Sequence, residues 1–589
     1  MNKNANAFGA PGIKPRWTSS AKDGIGTAYH SSSCVWFTLS HGIINEIYFP
    51  HVDTPNTRDL QFLITDGESF CHEEKRDMEH KTEYPEPNAL LYRLTNSDRE
   101  GRYRLVKEIV VDPHSSVLLM HTRLEVLDPK LRGKLRLYAL LAPHMKGTGK
   151  HNSAWWCGLD GRKLFDVQRE DIDLSFGCTP DFTRRSVGYV GFSDGWQDLM
   201  DNFTMDWEFE QAEDGNIALT GEIDLSDGME FTLGVGFGRT PHSASAHLLQ
   251  AFATPFADQR EKYVSQWQRT RAKVDLSRHT TDGGSMMRVS QCVLLAHEDK
   301  TFQGAFVASL SIPWGETKDD SDRGGYHLVW TRDMVQTATA LLACGHTESP
   351  LRALIWLACV QAADGSLPQN SSIAGEAYWH GIQLDEVAGP ILLAWRVQQA
   401  DALRQFDPWP LVSRAARYVI LHGPVTAQER WEENAGYSPS TLATIIASQA
   451  VISGVYSVTR QAVQLGQLPR MEVRHTSATE QGQIYIPRVN VLLCVGVVLI
   501  VLIFRNSSAL ASAYGIAVTG VMAISTFLVG VVALKQWKWH PALVFGIFGT
   551  LGLIDMAFLL SNALKIVHGG WLPLAMAAAV FVVMDTWRV

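Results

Sequence analysis

Hydrophobic and polar positions follow three different periods along this chain. Between residues 10 and about 240, short runs of β-branched and aromatic residues alternate with Gly, Asp, Asn and Pro, as in VWFTLS, EIYFP and LQFLIT. Strand-length runs bounded by turn residues predict packed sheets in a large all-β sandwich without a helix of consequence. Between residues 243 and 271 the period becomes helical and predicts one linker helix that leaves the sandwich.

Helical periods separated by loops with Gly and Pro continue after Asp282. Helices that pair through long loops indicate an α/α toroid, in which paired helices surround a central site. We predict helices at residues 285–297, 333–343, 350–362, 385–398 and 410–421, and a sixth that begins near Pro439.

Beyond Val489 the chain is almost continuously apolar. A membrane span needs about 20 mostly apolar residues, with about 17 as the lower limit. Buried helices of a soluble core are the alternative, but so many apolar stretches in succession would leave such a core little polar surface. We therefore predict a bundle of transmembrane helices at residues 489–504, 508–534, 541–560 and 571–584, of which the middle two fit the length well.

Charge divides the chain near the same place. Of its 589 residues, the part from Ile446 onward has nine Lys and Arg against four Asp and Glu, whereas the front has 43 of the 52 basic and 57 of the 61 acidic residues. An acidic front without a basic stripe argues against nucleic acid as a partner. Length and pattern together predict three domains, at residues 1–270, 271–445 and 446–589.

The cysteines and the N-terminus point to a reducing compartment. The eight cysteines are scattered, without a CxxC pair or zinc-ligand spacing, so we expect free thiols and neither a metal nor a cofactor. The N-terminal residues lack the apolar segment of about 7 to 15 residues that a signal peptide requires. The front of the chain is therefore predicted to lie in the cytoplasm.

Candidate chemistry begins with Glu432 and Glu433, which follow Trp431 on a predicted loop. Glycosidic bond cleavage needs one carboxylic acid to protonate the leaving oxygen and a second carboxylate to activate water or attack the sugar. A Trp ring can lie against a sugar face and raise the pKa of a nearby carboxyl group by desolvation. Adjacent glutamates are usually a solvated helix start, so the pair alone is weak evidence for catalysis.

Four further loops carry residue types that suit a sugar. They are rich in Trp, Tyr, Arg, Asp and Gln, which stack on sugar rings and form hydrogen bonds with hydroxyl groups. For Arg332 and Asp333 the alternative is a local ion pair near a helix start. The four segments are PWG at 313–315, GGYHLVWTRD at 324–333, LPQN at 367–370 and YWHGIQLDE at 378–386.

Motifs throughout the first 445 residues include PGIKPRWTSSAKDGIGTA, VWFTLSHGIINEIYFP, GGYHLVWTRDM, GIQLDE and RWEENAGYSPSTLA. They resemble the bacterial glucoamylases and glucodextranases of glycoside hydrolase family 15. The resemblance implies a β-supersandwich followed by an (α/α)6 toroid. It also implies an inverting exo-hydrolase that releases glucose from the non-reducing ends of α-glucans such as maltooligosaccharides.

The resemblance assigns roles to individual residues. Glu432 falls on the family's general acid, and Glu433 lies beside it as a substrate contact. Arg332 and Asp333 match the contacts to the terminal glucose, and Trp379 matches a stacking surface. The predicted substrate-binding set is Trp314, Arg332, Asp333, Trp379, Gln383, Asp385 and Glu433.

The general base is missing from this pattern. In the family it lies in the second half of the toroid, and the chain stops resembling the family about half-way through that fold. An inverting enzyme holds its two carboxyl groups about 6.5 to 9.5 Å apart, and Glu472 and Glu480 lie in a segment of different ancestry. We therefore predict that the front half is inactive and that a half toroid exposes apolar helix faces.

The remainder of the chain contains ASQAVISGVYSVTRQ, GQIYIPRVN, SSALASAYGIAVTG and NALKIVHGGWLPL. These motifs resemble the KUP-type potassium uptake permeases from about Ala447 to Val589, which implies potassium ion as a ligand and a lipid bilayer as the surroundings. The resemblance covers only the later helices of such a permease. Asp555, inside an apolar run, is a candidate for the ion pathway with Asn562 as its partner.

Basic residues predict the orientation in the membrane. Positive residues favour cytoplasmic loops, so we expect the front half in the cytoplasm and residues 489–504 as the first span. The two basic clusters are Arg460, Arg470, Arg474 and Arg488 in one loop, and Lys535 and Lys538 in another.

Three functions stay open at this point. The chain is a membrane-tethered α-glucan exo-hydrolase, a potassium transporter with a sugar-binding domain, or a chimera in which neither half is active and only glucan binding is retained. The junction is predicted near ATIIAS, residues 443–448.

Overall fold

The computed structural model folds into two compact units, Met1–Ser448 and Gln449–Val589. The described residues are 5–86, 88–226, 228–270, 280–311, 320, 325–430, 435–449, 474–475, 484–485, 507–563 and 571–587. The predicted span at 489–504 lies outside them.

The first unit begins with two antiparallel sheets. Among the described residues, the first sheet has the order β1-β2-β3-β4-β10-β16-β14, with β5 paired to β4. Its strands are β1 (Gly24–Thr27), β2 (Trp36–Ser40), β3 (Ile43–Tyr48), β4 (Thr57–Thr65), β5 (Cys71–Glu73), β10 (Arg136–Pro143), β14 (Arg185–Tyr189) and β16 (Ile217–Glu222).

The second sheet has the order β15-β11-β12-β13-β17-β9-β8-β7-β6. Its strands are β6 (Met78–Glu86), β7 (Leu91–Asp98), β8 (Tyr103–Val111), β9 (Val117–Val126), β11 (Asn152–Leu159), β12 (Arg162–Arg169), β13 (Ile172–Thr179), β15 (Gln211–Gly215) and β17 (Glu230–Gly238). The large β-sheet domain predicted from alternating residues is confirmed.

Successive side chains of a strand point to opposite faces, so a strand with one buried face alternates between buried and exposed residues, whereas β2 and β3 are buried on both faces. In β8, Tyr103 and Leu105 are fully buried while Arg104 is exposed. Residues of both sheets meet in this core, where the rings of Phe62 and Phe231 form an edge-to-face pair at 5.6 Å.

Two sequence predictions about helices need correction. The β region contains a single turn, α1 (Glu74–Asp77), and an eight-residue helix, α2 (Gly195–Asn202), which Asp194 caps through the N–H groups of Trp196 and Gln197. The predicted linker helix is two helices, α3 (Pro241–Phe252) and α4 (Phe256–Gln268). The break falls at Pro255, which has no backbone N–H and disfavours helical geometry in the residue before it.

Six helices follow among the described residues up to Gln449, close to the predicted bounds. Between them the described residues form a small sheet that the sequence pattern did not reveal, in the order β18-β19-β20. The helices are α5 (Ser285–Ala296), α6 (Thr331–Ala343), α7 (Glu348–Val360), α8 (Leu384–Gln399), α9 (Trp409–His422) and α10 (Pro439–Gln449), and the strands are β18 (Val329–Trp330), β19 (Asn370–Ser371) and β20 (Ala377–Trp379).

The β region and the helices of the first unit share one core. The indole N–H of Trp36 donates to the carbonyl of Ala296 at 3.0 Å, and the hydroxyl of Tyr48 donates to the carbonyl of Leu310 at 3.1 Å. The apolar side chains of Trp395 and Trp409, on α8 and α9, are 56% and 67% exposed. Two large aromatic side chains are therefore exposed on the helical part, and the exposed apolar faces of an incomplete toroid stay a prediction.

The second unit contains a short ladder and three long helices among its described residues. The ladder pairs β21 (Arg474–His475) with β22 (Ile484–Tyr485), and the helices are α11 (Ser507–Lys535), α12 (Pro541–Ala563) and α13 (Trp571–Trp587). By length and composition, one stretch in the described part of the chain, Pro541–Ser561, suffices to cross a membrane. The finer prediction of a complete transmembrane bundle therefore stays a prediction.

Candidate active site

The predicted sugar-binding residues of α6 and α8 converge at the first turns of these two helices. Arg332 and Asp333 lie in the first turn of α6, and Gln383 precedes α8 directly, with Asp385 in its first turn. The small sheet aligns both helix starts, because Trp330, just before α6, pairs through Asn370 with Trp379, just before α8.

Arg332 connects the two helix starts. Its Nε donates to Oδ2 of Asp385 at 2.7 Å, and its Nη2 lies 3.4 Å from Oδ1 of the same carboxylate. The same Nη2 donates to the side-chain oxygen of Gln383 and lies 3.6 Å from Oε1 of Glu386. Burial opposes its charge, but the hydrogen bond to Asp385 and the nearby carboxylates outweigh burial and raise the pKa of Arg332.

This pairing decides against the local ion pair that the sequence left open. The ion-pair partners of Arg332 come from α8 rather than from its neighbour Asp333. Asp333 is half-buried, and burial raises the pKa of its carboxyl group, although the positive charge of Arg332 opposes that shift. The carboxyl group of Asp333 therefore lies at the same end of α6 as Arg332 but is not its ion-pair partner.

Glu386 is a member of this cluster that the sequence prediction missed. Its side chain is fully buried, and neither carboxyl oxygen forms a hydrogen bond among the described residues. Burial raises its pKa well above the ordinary range, with Arg332 opposing the shift and Asp385 and Asp333 adding to it. Burial therefore shifts the equilibrium of this carboxyl group towards its protonated form. Its position beside Asp385 in GIQLDE was the available signal.

An aromatic surface lies beside these polar groups. The ring of Trp379 is 5.7 Å from that of Trp330 in an edge-to-face arrangement, and the backbone N–H of Trp379 donates to Oδ1 of Asn370 at 3.0 Å. Neighbouring Tyr378 is 46% exposed. Such a surface suits the apolar face of a sugar ring.

Several buried polar atoms around the cluster have no hydrogen-bond partner among the described residues. They are Nε2 of Gln383, Nδ2 of Asn370 and Oε1 of Gln428. A side chain at Gly381 would lie 2.3 Å from that same oxygen of Gln428, so the glycine keeps the space beside it open. Buried polar atoms without partners are costly, and a ligand rich in hydroxyl groups would supply donors and acceptors to them.

The remaining predicted site residues fall elsewhere. Trp314, Glu432 and Glu433 lie outside the described residues. In the second unit, Asp555 is 7% exposed and its Oδ2 accepts a hydrogen bond from the hydroxyl of Thr526 at 2.5 Å. The side chain of Asn562, its predicted partner, also lies outside the described part. Within the ranges that the structure describes, no group of His, Cys, Asp and Glu side chains could hold a metal ion.

Three family models match successive parts of the chain. "Glucodextranase, domain N" matches residues 7–271, and "Glycosyl hydrolases family 15" matches residues 285–355 and 361–465. "K+ potassium transporter integral membrane domain" matches residues 435–589. The last two matches overlap at residues 435–465, around the predicted junction.

Individual relatives divide the chain in the same way. The glucoamylase of Clostridium sp. (strain G0005) is 36% identical over 445 residues, which are 75% of this chain and 62% of that protein. A crystal structure of a bacterial glucoamylase complexed with acarbose is 33% identical, with a TM-score of 0.71 over 82% of this chain and 72% of that chain. The probable potassium transport system protein Kup 2 of Bradyrhizobium sp. (strain ORS 278) is 55% identical over 149 residues, 25% of this chain and 23% of that protein. The chain thus spans less than two thirds of either curated relative.

Proposed function

We propose that this chimera binds the ends of α-glucans without cleaving them. Its first three quarters match the glycosyl hydrolase family 15 glucoamylases, and its last quarter matches the Kup potassium transporters. The cluster of Arg332, Gln383 and Asp385 carries the proposal. It presents charged and amide groups beside an aromatic surface, with buried polar atoms that lack partners. These are the features of a site for a polyhydroxylated ligand.

We propose that the chain does not cleave glucans because inversion requires a general base that the resemblance places in the second half of the toroid. Inversion requires a general acid and a general base about 6.5 to 9.5 Å apart with water between them. The resemblance assigns the acid to Glu432 and the base to the second half of the toroid. The match to the hydrolase family ends at residue 465. Without the base, water is not activated, and binding is the activity that remains.

The predicted division at 1–270, 271–445 and 446–589 belongs to the same proposal. It is supported by the separation of the two compact units after Ser448 and by the overlap of the two family matches. We further propose that the last domain lies in a lipid bilayer and that the first two lie in the cytoplasm. Digestion of the front domains by protease added outside sealed right-side-out vesicles would contradict that orientation.

Acarbose, the ligand of the glucoamylase of known structure, is a suitable probe. We expect the full chain in detergent to bind acarbose saturably in isothermal titration calorimetry. Arg332→Lys should weaken binding about tenfold or more, because lysine cannot reproduce the paired contact to Asp385. The matched control is Arg404→Lys, whose side chain is 61% exposed. Equal affinities in the two variants, or no binding, would contradict the proposal.

A second candidate function is potassium transport, and the position of Asp555 favours it. This carboxylate is buried and accepts a hydrogen bond from Thr526, as expected of an ionisable group inside a membrane protein. Growth of a potassium-uptake-deficient cell at low potassium tests it. Rescue that Asp555→Asn abolishes would establish transport, and the absence of rescue would reject this second candidate.

A further inference from the structure

A cavity of about 550 Å3 lies on the outer face of the first sheet, and none of the candidate active-site residues lines it. Its floor comes from β4, β10 and β16, through Gln61, Leu140, Ala142 and Ala218. The alternate residues of these strands point into the sandwich core. Ala142 and Ala218 have short side chains, so the floor is hollow where larger residues would fill it.

Two walls enclose this floor. The N-terminal segment at residues 13–16 forms one wall, and α1 with the start of α2 forms the other. Trp196 of α2 lines the cavity and is half-buried, and its indole N–H donates to Oε2 of Glu73 at 3.0 Å. The ring is therefore held in place. The size falls within the range of about 300 to 1,000 Å3 that is usual for small-molecule sites.

Positive charges outnumber negative ones around this cavity, although the chain as a whole has a formal net charge of −9. Such a local reversal attracts an anion. The basic lining residues are Lys14, Arg16, Arg58, Lys75 and Arg76, and the acidic ones are Asp59, Glu73 and Asp194.

The three carboxylates are already engaged as hydrogen-bond acceptors by the protein itself. A carboxylate that accepts several internal hydrogen bonds has little capacity left for the hydroxyl groups of a ligand. The donors are Thr18 and Asn45 to Asp59 at 2.7 and 2.9 Å, Gln61 and Trp196 to Glu73 at 2.8 and 3.0 Å, and the backbone N–H groups of Trp196 and Gln197 to Asp194 at 3.0 and 3.1 Å.

The guanidinium groups, in contrast, keep donors available. Nε of Arg58 is buried without a hydrogen bond among the described residues, and its nearest carboxylate oxygen, on Asp59, is 3.7 Å away. The side chain of Arg76 is 67% exposed and lies 3.3 Å from Glu73. Arg16 is exposed at the opposite wall. A ligand that completes this site must bring negative charge and acceptor oxygens.

We propose that this cavity binds a phosphorylated sugar. The phosphate pairs with Arg16 and Arg58, since planar guanidinium groups match phosphate oxygens in geometry and charge. The sugar ring packs on Trp196 and on the apolar floor at Leu140 and Ala142. The site lies in the β-sheet domain and is independent of the proposed binding of α-glucan ends.

Isothermal titration calorimetry of the full chain in detergent tests this site, with glucose 1-phosphate as the probe. Glucose and inorganic phosphate, titrated separately, distinguish the contributions of the ring and of the anion. We expect saturable binding of glucose 1-phosphate, with both fragments at least tenfold weaker. Arg58→Gln should weaken binding about tenfold or more, because it removes a charge-assisted contact.

Two further variants keep the test decisive. Ala142→Leu fills the floor without changing any charge and should also abolish binding, so it serves if Arg58→Gln fails to fold. Arg123→Gln, on β9 of the other sheet with a side chain 51% exposed, is the matched control and should bind within twofold of the original chain. The proposal is overturned by no binding at millimolar ligand, by equal affinity for glucose or for inorganic phosphate, or by equal losses in Arg58→Gln and Arg123→Gln.

Discussion

The two units of this protein differ in where their largest apolar side chains lie. In the first unit the large aromatic side chains of Trp36 and Trp267 are almost completely buried. In the second, Phe527, Phe545 and Leu553 are 71%, 70% and 75% exposed. Large apolar side chains that face outward in this number are stable in hydrocarbon and costly in water. The described helices of the second unit thus expose large apolar side chains of the kind that the first unit buries in its core.

The buried carboxylates differ in the same way. Asp385 in the first unit lies 2.7 Å from the guanidinium of Arg332, whereas the recorded partner of Asp555 in the second is the hydroxyl of Thr526. The first carboxylate therefore has a positively charged partner, whereas the second has a neutral hydrogen-bond donor. Measurements of the free energy of unfolding, and of its dependence on pH, test how much these buried groups contribute to stability in each unit.

Arg332→Ala should have the largest effect. Removing one member of a buried ion pair leaves an uncompensated carboxylate and typically costs about 3 to 5 kcal/mol. Chemical denaturation of the full chain in detergent measures the free energy of unfolding. The control Arg404→Ala removes an exposed pair with Glu348 and should cost at most about 1 kcal/mol. Equal costs would mean that the cluster at α6 and α8 is not energetically coupled.

His144→Gln should reduce the loss of folding stability that the chain shows as pH falls below about 6.5. Burial lowers the pKa of His144 to about 3, although the nearby Asp320 opposes the shift, whereas the unfolded residue has a pKa of about 6.5. As pH falls from about 6.5 towards 3, the unfolded state takes up a proton that the folded state does not, so stability is lost. The variant should lose less stability over this window.

Thermal unfolding between pH 7 and pH 4 measures the difference for His144. The exposed His380→Gln is the matched control and should follow the original chain. If the unfolding temperatures of His144→Gln and of the original chain fall equally between pH 7 and pH 4, the buried imidazole does not cause the loss of stability in acid.

Glu386→Gln should change folding stability as pH rises rather than as it falls. The change should be smaller than that for His144→Gln. Burial raises the pKa of Glu386, so its contribution to stability is fully present below the unfolded pKa of about 4.3. That contribution is lost as pH rises through the raised pKa of the folded state. An amide does not titrate, so the variant should become the more stable of the two as pH rises.

Melting temperatures from pH 4.5 to pH 8 test whether Glu386→Gln gains stability relative to the original chain as pH rises. Glu376→Gln, an exposed substitution on the turn between β19 and β20, is the control. The melting temperature of Glu386→Gln minus that of the original chain should increase as pH rises, and a difference that decreases would contradict a raised pKa of Glu386 in the folded state.

Asp555→Asn should have the smallest effect. The amide oxygen can still accept the hydrogen bond from Thr526, so we expect a change of less than about 1 kcal/mol in the free energy of unfolding in detergent. The paired comparison is Asp385→Asn in the first unit, which should cost more because it removes a charge partner of Arg332. A larger loss for Asp555→Asn than for Asp385→Asn would reverse the contrast between the units.

Local sequence patterns predicted most of this fold. The predicted helix at 285–297 is α5 (Ser285–Ala296), and the one at 410–421 is α9 (Trp409–His422). The exceptions have local causes. Pro255 interrupts a helical period that otherwise continues, and two-residue strands such as β18 are too short to show an alternation.

The candidate site was only partly predictable. Arg332 and Asp385 were identified by type and by resemblance, but their direct contact joins residues 53 positions apart. The role of Glu386 depends on complete burial between α6 and α8, which a neighbouring pair of acids in a sequence does not reveal. The cavity at Trp196 likewise combines strands and helices that are distant along the chain. Roles that arise from tertiary packing needed the structure.

We propose that the front of this chimera binds α-glucan ends and does not cleave them. The most direct test incubates the purified full chain with maltotetraose and measures bound ligand and released glucose in the same sample. We predict saturable binding that Arg332→Lys weakens, with glucose release no greater than in a protein-free sample. Glucose release that Glu432→Gln abolishes would contradict the claim and establish a working glucoamylase.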